Sequence, residues 1–271
     1  MDEHVKDYYS QQSQNSPEGN FFKVIAIHEG VDLDWETIVE MVPNLPRGWY
    51  ELRHLSPKDR IQFSLDYWLA KISYHPHINE AFSSFFSAMD DIGVFITQRT
   101  FDDLFDIEMV YSMKGNRGFY RGSTPAPEDE IIDLQKLFPN AILPEDYLSF
   151  LQIHNGFCKA TDMTGITRTG NMKQSYRNFQ AMIASKGQLR TKTGTPVDPK
   201  TLIPFYESFG MPYYQCFWAE WHPKLEMGNV YYSAINNTIT NVGENFSVSP
   251  EKLAFPTFVE WLNFYLEQIE I

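Results

Sequence analysis

The clearest structural signal in the chain is the stretch Leu137-Phe-Pro-Asn-Ala-Ile-Leu-Pro-Glu-Asp-Tyr-Leu-Ser-Phe-Leu-Gln-Ile-His-Asn-Gly156. It predicts the end of one helix, a short connector and a second helix. Pro144 suits the first turn of the second helix, where its missing N–H would be unpaired in any case. Glu145 and Asp146 place negative charge at the positive end of the helix dipole. Asn155-Gly156 then predicts the left-handed residue that ends the helix.

An apolar face runs along this second helix at three- and four-residue spacing, through Tyr147, Phe150, Leu151 and His154. The whole pattern resembles the signature of the SUKH superfamily, which holds a fungal cell-wall synthesis regulator and many bacterial immunity proteins. Its members carry a first helix with acidic residues, then Leu-Pro-x-Asp-Tyr-x-x-Phe-Leu, and after a short gap Asn-Gly. The residues that match are Glu130, Leu134, Leu143, Pro144, Asp146, Tyr147, Phe150, Leu151, Asn155 and Gly156.

The resemblance extends to the end of the chain, where Phe255 to Leu266 is similar to the closing apolar-aromatic helix of the family. It covers residues 125 to 271. It implies an α+β fold with a mostly antiparallel sheet flanked by helices. It also implies a protein-binding role, either immunity against a toxin or regulation through a partner.

Residue composition and net charge limit the classes of function. The 271 residues are 43% hydrophobic and carry a net charge of −13, which disfavours binding to nucleic acid and favours a basic protein partner. No apolar run of about 18 residues predicts a membrane span, and the polar start is unlike a signal peptide. Cys158 and Cys216 are too few for a disulfide framework, so we expect a cytoplasmic protein.

The pattern along the chain predicts three regions. Residues 1–20 are expected to form a flexible polar tail, and residues 21–92 an N-terminal helical extension. Within that extension, Ser56 and Pro57 predict a helix start, and a further helix is expected from Asn79 to Asp91. Residues 93–271 are expected to form the SUKH-like α+β domain.

Two candidate surfaces for a partner stand out. The first is an aromatic set, Tyr213, Tyr214, Trp218 and Trp221. Because side chains alternate between the two faces of a strand, we expect part of this set to be buried and the rest to be exposed as interface anchors. The second is a basic segment from Arg168 to Lys200, in which Arg190 and Lys192 are the proposed contacts for a phosphate-bearing or acidic ligand.

Candidate catalytic groups have simpler structural interpretations. His154 with Cys158 is the basis for the alternative of an enzyme, although no second motif for nucleophilic catalysis accompanies them. Glu128-Asp129-Glu130 and Asp102-Asp103 are interpreted as the acidic starts of helices. We therefore predict no catalytic residue, no metal site and no cofactor. The prediction is a protein-binding module, either an immunity protein or a regulatory adaptor, of undetermined oligomeric state.

Overall fold

The computed structural model describes residues 1–10, 21–30, 34–72, 78–115, 117–162, 164–208, 213–242 and 253–267. These residues form two compact units: unit 1 comprises Met1–Pro125 with Glu267, and unit 2 comprises Ala126–Leu266. The described part of the chain combines helices with a mostly antiparallel sheet, which confirms the predicted α+β class.

Unit 1 contains helices and an antiparallel sheet. Its helices are α1 Glu3–Tyr8, α2 Trp35–Met41, α3 Arg47–Glu51, α4 Pro57–Lys71 and α5 Ile78–Ser87. Its strands are β1 Lys23–Ala26, β2 Met89–Gln98, β3 Asp106–Met113 and β4 Phe119–Ser123. Each strand pairs with its neighbour in sequence, in the order β1-β2-β3-β4.

The packing in unit 1 centres on helix α4. Ser56 caps this helix by accepting the N–H of Asp59, as the Ser-Pro pair predicts. Trp68 is completely buried and donates its indole N–H to the hydroxyl of Tyr111 over 3.1 Å. On the same helix, Arg60 forms a buried bidentate ion pair with Asp91 of β2 at 2.8 and 2.9 Å. Both ions are therefore compensated within a low-dielectric environment.

Three expectations for the first 92 residues differ from the structure. Residues 1–10 include helix α1, whose Val5 and Tyr8 are buried, so this part of the expected tail is ordered; residues 11–20 lie outside the described residues. The helix expected to reach Asp91 ends at Ser87, because Met89 already pairs with β3. For the same reason the boundary expected at residue 93 falls inside β2, and unit 1 is a mixed helix-and-sheet body.

Unit 2 has one sheet between helices. The helices are α6 Glu128–Leu137, α7 Glu145–Leu151, α8 Thr169–Ser185 and α9 Phe258–Glu267. The strands are β5 Phe157–Lys159, β6 Gly165–Ile166, β7 Arg190–Thr191, β8 Leu202–Glu207, β9 Tyr213–Trp218, β10 Asn229–Ser233, β11 Thr238–Ile239 and β12 Ala254–Phe255. The order is β5-β6-β8-β9-β10-β11-β7, with β12 paired to β10.

Alternation along β9 divides the core of unit 2 between the two faces of the sheet. Cys216 packs in a cluster with Phe179 and Ile183 of α8. Phe217, the next residue, contacts Tyr147 of α7 and Phe258 of α9. Helix α8 therefore covers one face of the sheet, and helices α7 and α9 cover the other.

Candidate partner-binding surfaces

Asp146 of the signature connects two helices of unit 2. One carboxylate oxygen accepts the N–H of Tyr147 over 2.8 Å, and the other accepts the N–H of Val259 over 2.9 Å. Val259 lies in the first turn of α9, whose N–H groups have no partner within the helix. The buried Asp146 thus supplies that partner from α7 and fixes α9 against the sheet.

The apolar residues of the signature form the centre of this core. Tyr147, Phe150 and Leu151 are completely buried, and Leu143 is 4% exposed. The ring of Tyr147 contacts Phe205, Phe217 and Phe258 at centroid distances of 5.8, 5.0 and 5.3 Å. Burial raises the pKa of its hydroxyl, and among the described residues this hydroxyl has no hydrogen-bond partner.

Asn155 and Gly156 join α6 to the start of α8. The Asn155 side chain donates to Glu130 over 3.0 Å and to the Thr169 hydroxyl over 2.8 Å, and it accepts the Thr169 N–H over 2.8 Å. Gly156 has φ of +103°, and a Cβ there would lie 2.6 Å from Arg168 Cγ. Helix α7 ends earlier, at Leu151, so this pair is a tertiary connector and the expectation that it ends the helix is wrong.

The environment of His154 is aromatic and closed. The residue is completely buried, with its ring stacked on Phe157 at 5.5 Å and in an edge-on contact with Phe150 at 6.4 Å. Cys158 is half-buried in β5 and is not joined to Cys216 by a disulfide. A buried imidazole surrounded by aromatic rings has the contacts of a core residue.

Lys159, next to Cys158, lies in a polar cluster centred on Asp162. The Asp162 carboxylate accepts the hydroxyls of Tyr265 over 2.5 Å and Tyr206 over 3.3 Å. The Lys159 ammonium lies 4.6 Å from the ring centroid of Tyr265. Burial lowers the pKa of Lys159 to about 8, although the charge of Asp162 acts in the opposite direction. The hydrogen bonds of this cluster tie the β5–β6 turn to β8 and α9.

The predicted aromatic set is used largely for packing. Trp218 is 9% exposed, and Trp221 covers Gly228 so closely that a Cβ there would lie 2.3 Å from its ring. Tyr214 is half-buried against Phe179 and donates its hydroxyl to Glu207 over 3.0 Å. Tyr213 is half-buried against the ring of Tyr231 at 5.2 Å. Part of the surface of Tyr213, Tyr214 and Trp221 stays accessible.

Arg190 and Lys192, the predicted basic contact residues, are exposed, but both also form hydrogen bonds that stabilise the turn on which they lie. The guanidinium of Arg190 donates to the Gly194 carbonyl over 2.8 Å and also to the side chain of Gln188. Lys192 donates its backbone N–H to the Ile239 carbonyl over 3.0 Å, and its side chain is exposed. The basic segment is not one loop, because Lys173 and Arg177 lie on the exposed side of helix α8.

An exposed apolar cluster lies in unit 1, in the turn between β2 and β3. We call residues 99–106, which comprise this turn and the first residue of β3, the 99–106 loop. Phe101 is 75% exposed and Leu104 is 93% exposed, and Phe22 contacts the ring of Phe101 at 5.5 Å. Phe22 and Phe101 are thus neighbouring exposed apolar side chains, and contiguous exposed apolar surface is a feature of interaction sites.

The conformation of the 99–106 loop is fixed by hydrogen bonds. The side-chain amide of Gln98 donates to the carbonyls of Phe101 and Asp103 over 3.0 and 2.8 Å. The N–H of Thr100 donates to the carboxylate of Asp103 over 2.8 Å. These bonds hold Phe101 and Leu104 outward in advance of any contact, which lowers the entropy lost on binding.

The loop also carries negative charge, since Asp102, Asp103 and Asp106 are exposed. Asp102 and Asp103 do not begin a helix, so that interpretation is wrong; the Glu128–Glu130 cluster does begin α6, as predicted. Phe101 and Leu104 were not predicted as candidates, because the segment has neither helical nor strand periodicity. Two acids between large apolar residues were the available signal.

Within the described ranges, no group of three or more His, Cys, Asp and Glu side chains is placed to hold a metal ion. None of the described helices combines the length and apolar character that crossing a membrane requires.

Comparison with known proteins identifies a family. The sequence model of the SMI1 / KNR4 family (SUKH-1) matches residues 125–263, about half of the chain. The matched segment coincides with unit 2 and contains every signature residue from Leu143 to Gly156. No curated protein matches the chain.

Proposed function

Because the chain belongs to the SMI1 / KNR4 family (SUKH-1), we propose that it is a non-enzymatic module that binds another protein, as an immunity protein or a regulatory adaptor. The signature residues support this, since Asp146, Tyr147 and Asn155 build the core and its connections. A motif used for packing sets the fold and leaves specificity to the surface.

The observation that carries the proposal is the 99–106 loop. It presents Phe101 and Leu104 to solvent on a hydrogen-bonded turn, with Asp102, Asp103 and Asp106 around them. Buried apolar anchors hold a complex together, whereas carboxylates at the rim mainly raise the association rate. The occupant is therefore a basic protein that offers an apolar pocket or side chain, which also suits the net charge of −13.

Non-enzymatic action is part of the proposal. The complete burial of His154 and its stacking on Phe157 support it, because a general base has to reach the proton that it removes. In the alternative, an enzyme uses His154 and Cys158. A Cys158→Ala variant that folds normally separates the two, since only the enzyme would lose a thousandfold or more of its activity.

A second candidate is formed by exposed basic residues of unit 2. Lys173 and Arg177 lie on helix α8 and Lys192 follows strand β7, and such residues would suit an acidic or phosphate-bearing ligand. Arg190 is less suited, because its guanidinium already donates to Gly194 and Gln188 within its own turn.

Affinity capture with quantitative mass spectrometry tests the proposal. Three full-length baits are compared: the wild type, the double variant Phe101→Ser plus Leu104→Ser, and the double variant Ile142→Ser plus Leu225→Ser. The last variant is a matched control, because Ile142 and Leu225 are 87% and 97% exposed in unit 2. The proposal expects one basic protein that the wild type and the control retain and the loop variant loses. It fails if the loop variant retains every partner, or if Arg190→Glu with Lys192→Glu alone abolishes capture.

A further inference from the structure

Strand β1 lies at one edge of the unit 1 sheet, and its hydrogen-bonding pattern can be assigned residue by residue. The N–H of Phe22 donates to the carbonyl of Arg99 over 3.2 Å. Val24 and Ala26 lie opposite Thr97 and Phe95. Hydrogen-bonded pairs alternate in an antiparallel ladder, so Val24 and Ala26 bond to β2. The backbone N–H and C=O groups of Lys23 and Ile25 therefore point away from the sheet.

This outer edge has no backbone partner within the described ranges, since no hydrogen bond from the N–H of Lys23 or Ile25 occurs there. An edge strand with unpaired N–H and C=O groups is a template for another strand. Recognition by strand addition takes its affinity from such main-chain bonds and its specificity from alternate side chains.

A groove of about 460 Å³ lies beside the same strand and is lined by Tyr9, Val24, Ala26 and Phe95 among others. Val24 and Ala26 alternate with Lys23 and Ile25, so they share one face of the sheet with Phe95. Tyr9, the residue after α1, also lines the groove and stacks on Phe95 at 4.0 Å. A side chain on an added strand that lies opposite Val24 or Ala26 would project toward this groove.

The edge and the 99–106 loop form a continuous surface. Phe22, the residue before β1, contacts Phe101 of the loop at 5.5 Å. Lys6 and Glu29 also line the groove, and the exposed Glu29 adds a carboxylate at the other end of the strand. The surface thus offers a row of backbone groups with an apolar groove, and it has carboxylates at both ends.

We propose that an extended segment of the basic partner adds to β1 as a further strand and places apolar side chains in the groove beside Val24 and Ala26. This inference rests on the proposed function, and it specifies how the partner is held. The positions of the segment opposite Lys23 and Ile25 form the main-chain hydrogen bonds, and the alternate positions supply the apolar side chains.

A designed peptide tests the inference without the natural partner. The probe is the acetylated, amidated peptide Arg-Thr-Val-Thr-Val-Thr-Arg. Its valines are meant to enter the groove, and its arginines are meant to pair with the carboxylates at the two ends of the surface. One control carries N-methyl groups on the threonines, which removes the N–H groups that face β1. The second carries them on the valines, whose N–H groups point outward. We expect binding of the parent and the valine-methylated peptide, and a loss of at least about tenfold for the threonine-methylated one, as expected for several lost hydrogen bonds.

Amide exchange, measured by NMR on the full chain, is a second test of strand addition. Saturating peptide should slow exchange at Lys23 and Ile25 by about tenfold or more, while Val24 and Ala26, already bonded to β2, change little. The inference is overturned if the parent peptide does not bind, if both methylated peptides bind alike, or if Lys23 and Ile25 are already protected in the chain alone.

Variants of the chain distinguish this inference from the proposed function. Lys23→Pro removes the outward N–H at an edge position where proline is tolerated, and Lys23→Thr is the control that keeps it. If Lys23→Pro leaves capture of the partner intact while the Phe101→Ser and Leu104→Ser variant loses it, the strand inference is wrong and the proposed function stands. If neither change affects capture, the proposed surface itself is wrong.

Discussion

Phe150 is the residue whose removal tests the core of unit 2 most simply. It is completely buried, and its ring contacts Phe157 at 5.7 Å and Phe258 at 5.4 Å. Phe150→Ala should lower the free energy of unfolding by about 3–5 kcal/mol, because it removes buried surface and leaves a cavity. Urea denaturation of the purified chain measures the loss. A value under about 1 kcal/mol would be too small for an emptied core site.

Lys159 predicts a pH dependence of stability. Its pKa in the folded chain is lowered to about 8 from the ordinary 10.5, chiefly by burial. Between pH 8 and pH 10.5, Lys159 therefore binds fewer protons in the folded chain than in the unfolded chain. The free energy of unfolding consequently rises as pH increases through this range. Below pH 8 the lysine imposes a constant penalty.

The comparison with Lys159→Met isolates this effect. Between pH 8 and about 9.5, below the titration of most tyrosines, the wild type should gain stability relative to the variant, as judged from urea midpoints at each pH. If the difference between the two proteins is constant over this range, the lysine does not titrate with a lowered pKa.

At the scale of elements, the Asp146 link makes α9 depend on α7. Asp146→Ala leaves the N–H of Val259 without its acceptor, and an unsatisfied buried donor costs about 1–3 kcal/mol. Amide exchange in the first turn of α9 should quicken as well. Glu145→Ala is the matched control, because Glu145 is exposed at the neighbouring position of the same helix. Equal losses for the two variants would show that the link does not stabilise α9.

Elements with local signals were predictable from the sequence. The Ser56-Pro57 start of α4 needs only its own residues, and β9 follows from its high content of aromatic residues. The end of α5 was not predictable in this way, because Met89 is apolar and continues the helical spacing until its pairing with Met113 places it in β2. Asn155 was likewise assigned a local role, whereas its partners Glu130 and Thr169 are remote in sequence.

The candidate surfaces also depend on tertiary contacts that the sequence does not reveal. Tyr213, Tyr214, Trp218 and Trp221 were identified by residue type, but exposure depends on what packs over a strand. Helix α8 and the Gly228 segment cover part of this set. Phe101 and Leu104 were missed because their exposure comes from a turn stabilised by the side chain of Gln98. Residue type alone therefore predicts candidate residues for a binding surface, whereas tertiary contacts determine which of them are exposed.

At the scale of the whole molecule, the family match and the proposed surface fall in different units. The SMI1 / KNR4 match covers unit 2, whereas the 99–106 loop and the edge of β1 belong to unit 1. The first 125 residues would thus supply the specificity of this member of the family. Under the proposed function, the family signature describes the fold of unit 2, and residues outside the match define the partner.

The net charge predicts how the complex responds to salt. With −13 on the chain and exposed carboxylates on the loop, attraction to a basic partner should raise the association rate at low ionic strength. Added salt screens this attraction over about 8–10 Å. Surface plasmon resonance should therefore show a falling association rate with salt and a nearly constant dissociation rate. A salt effect confined to dissociation would contradict this account.

The affinity of the captured partner for purified variants tests the central claim most directly. Titration calorimetry would compare the wild type with Phe101→Ser plus Leu104→Ser and with the control Ile142→Ser. Loss of two interface anchors should weaken binding by tenfold or more, about 1.4 kcal/mol, while the control stays within about twofold of the wild type. The contradicting result is a loop variant that binds as tightly as the wild type, with Arg190→Glu plus Lys192→Glu abolishing binding.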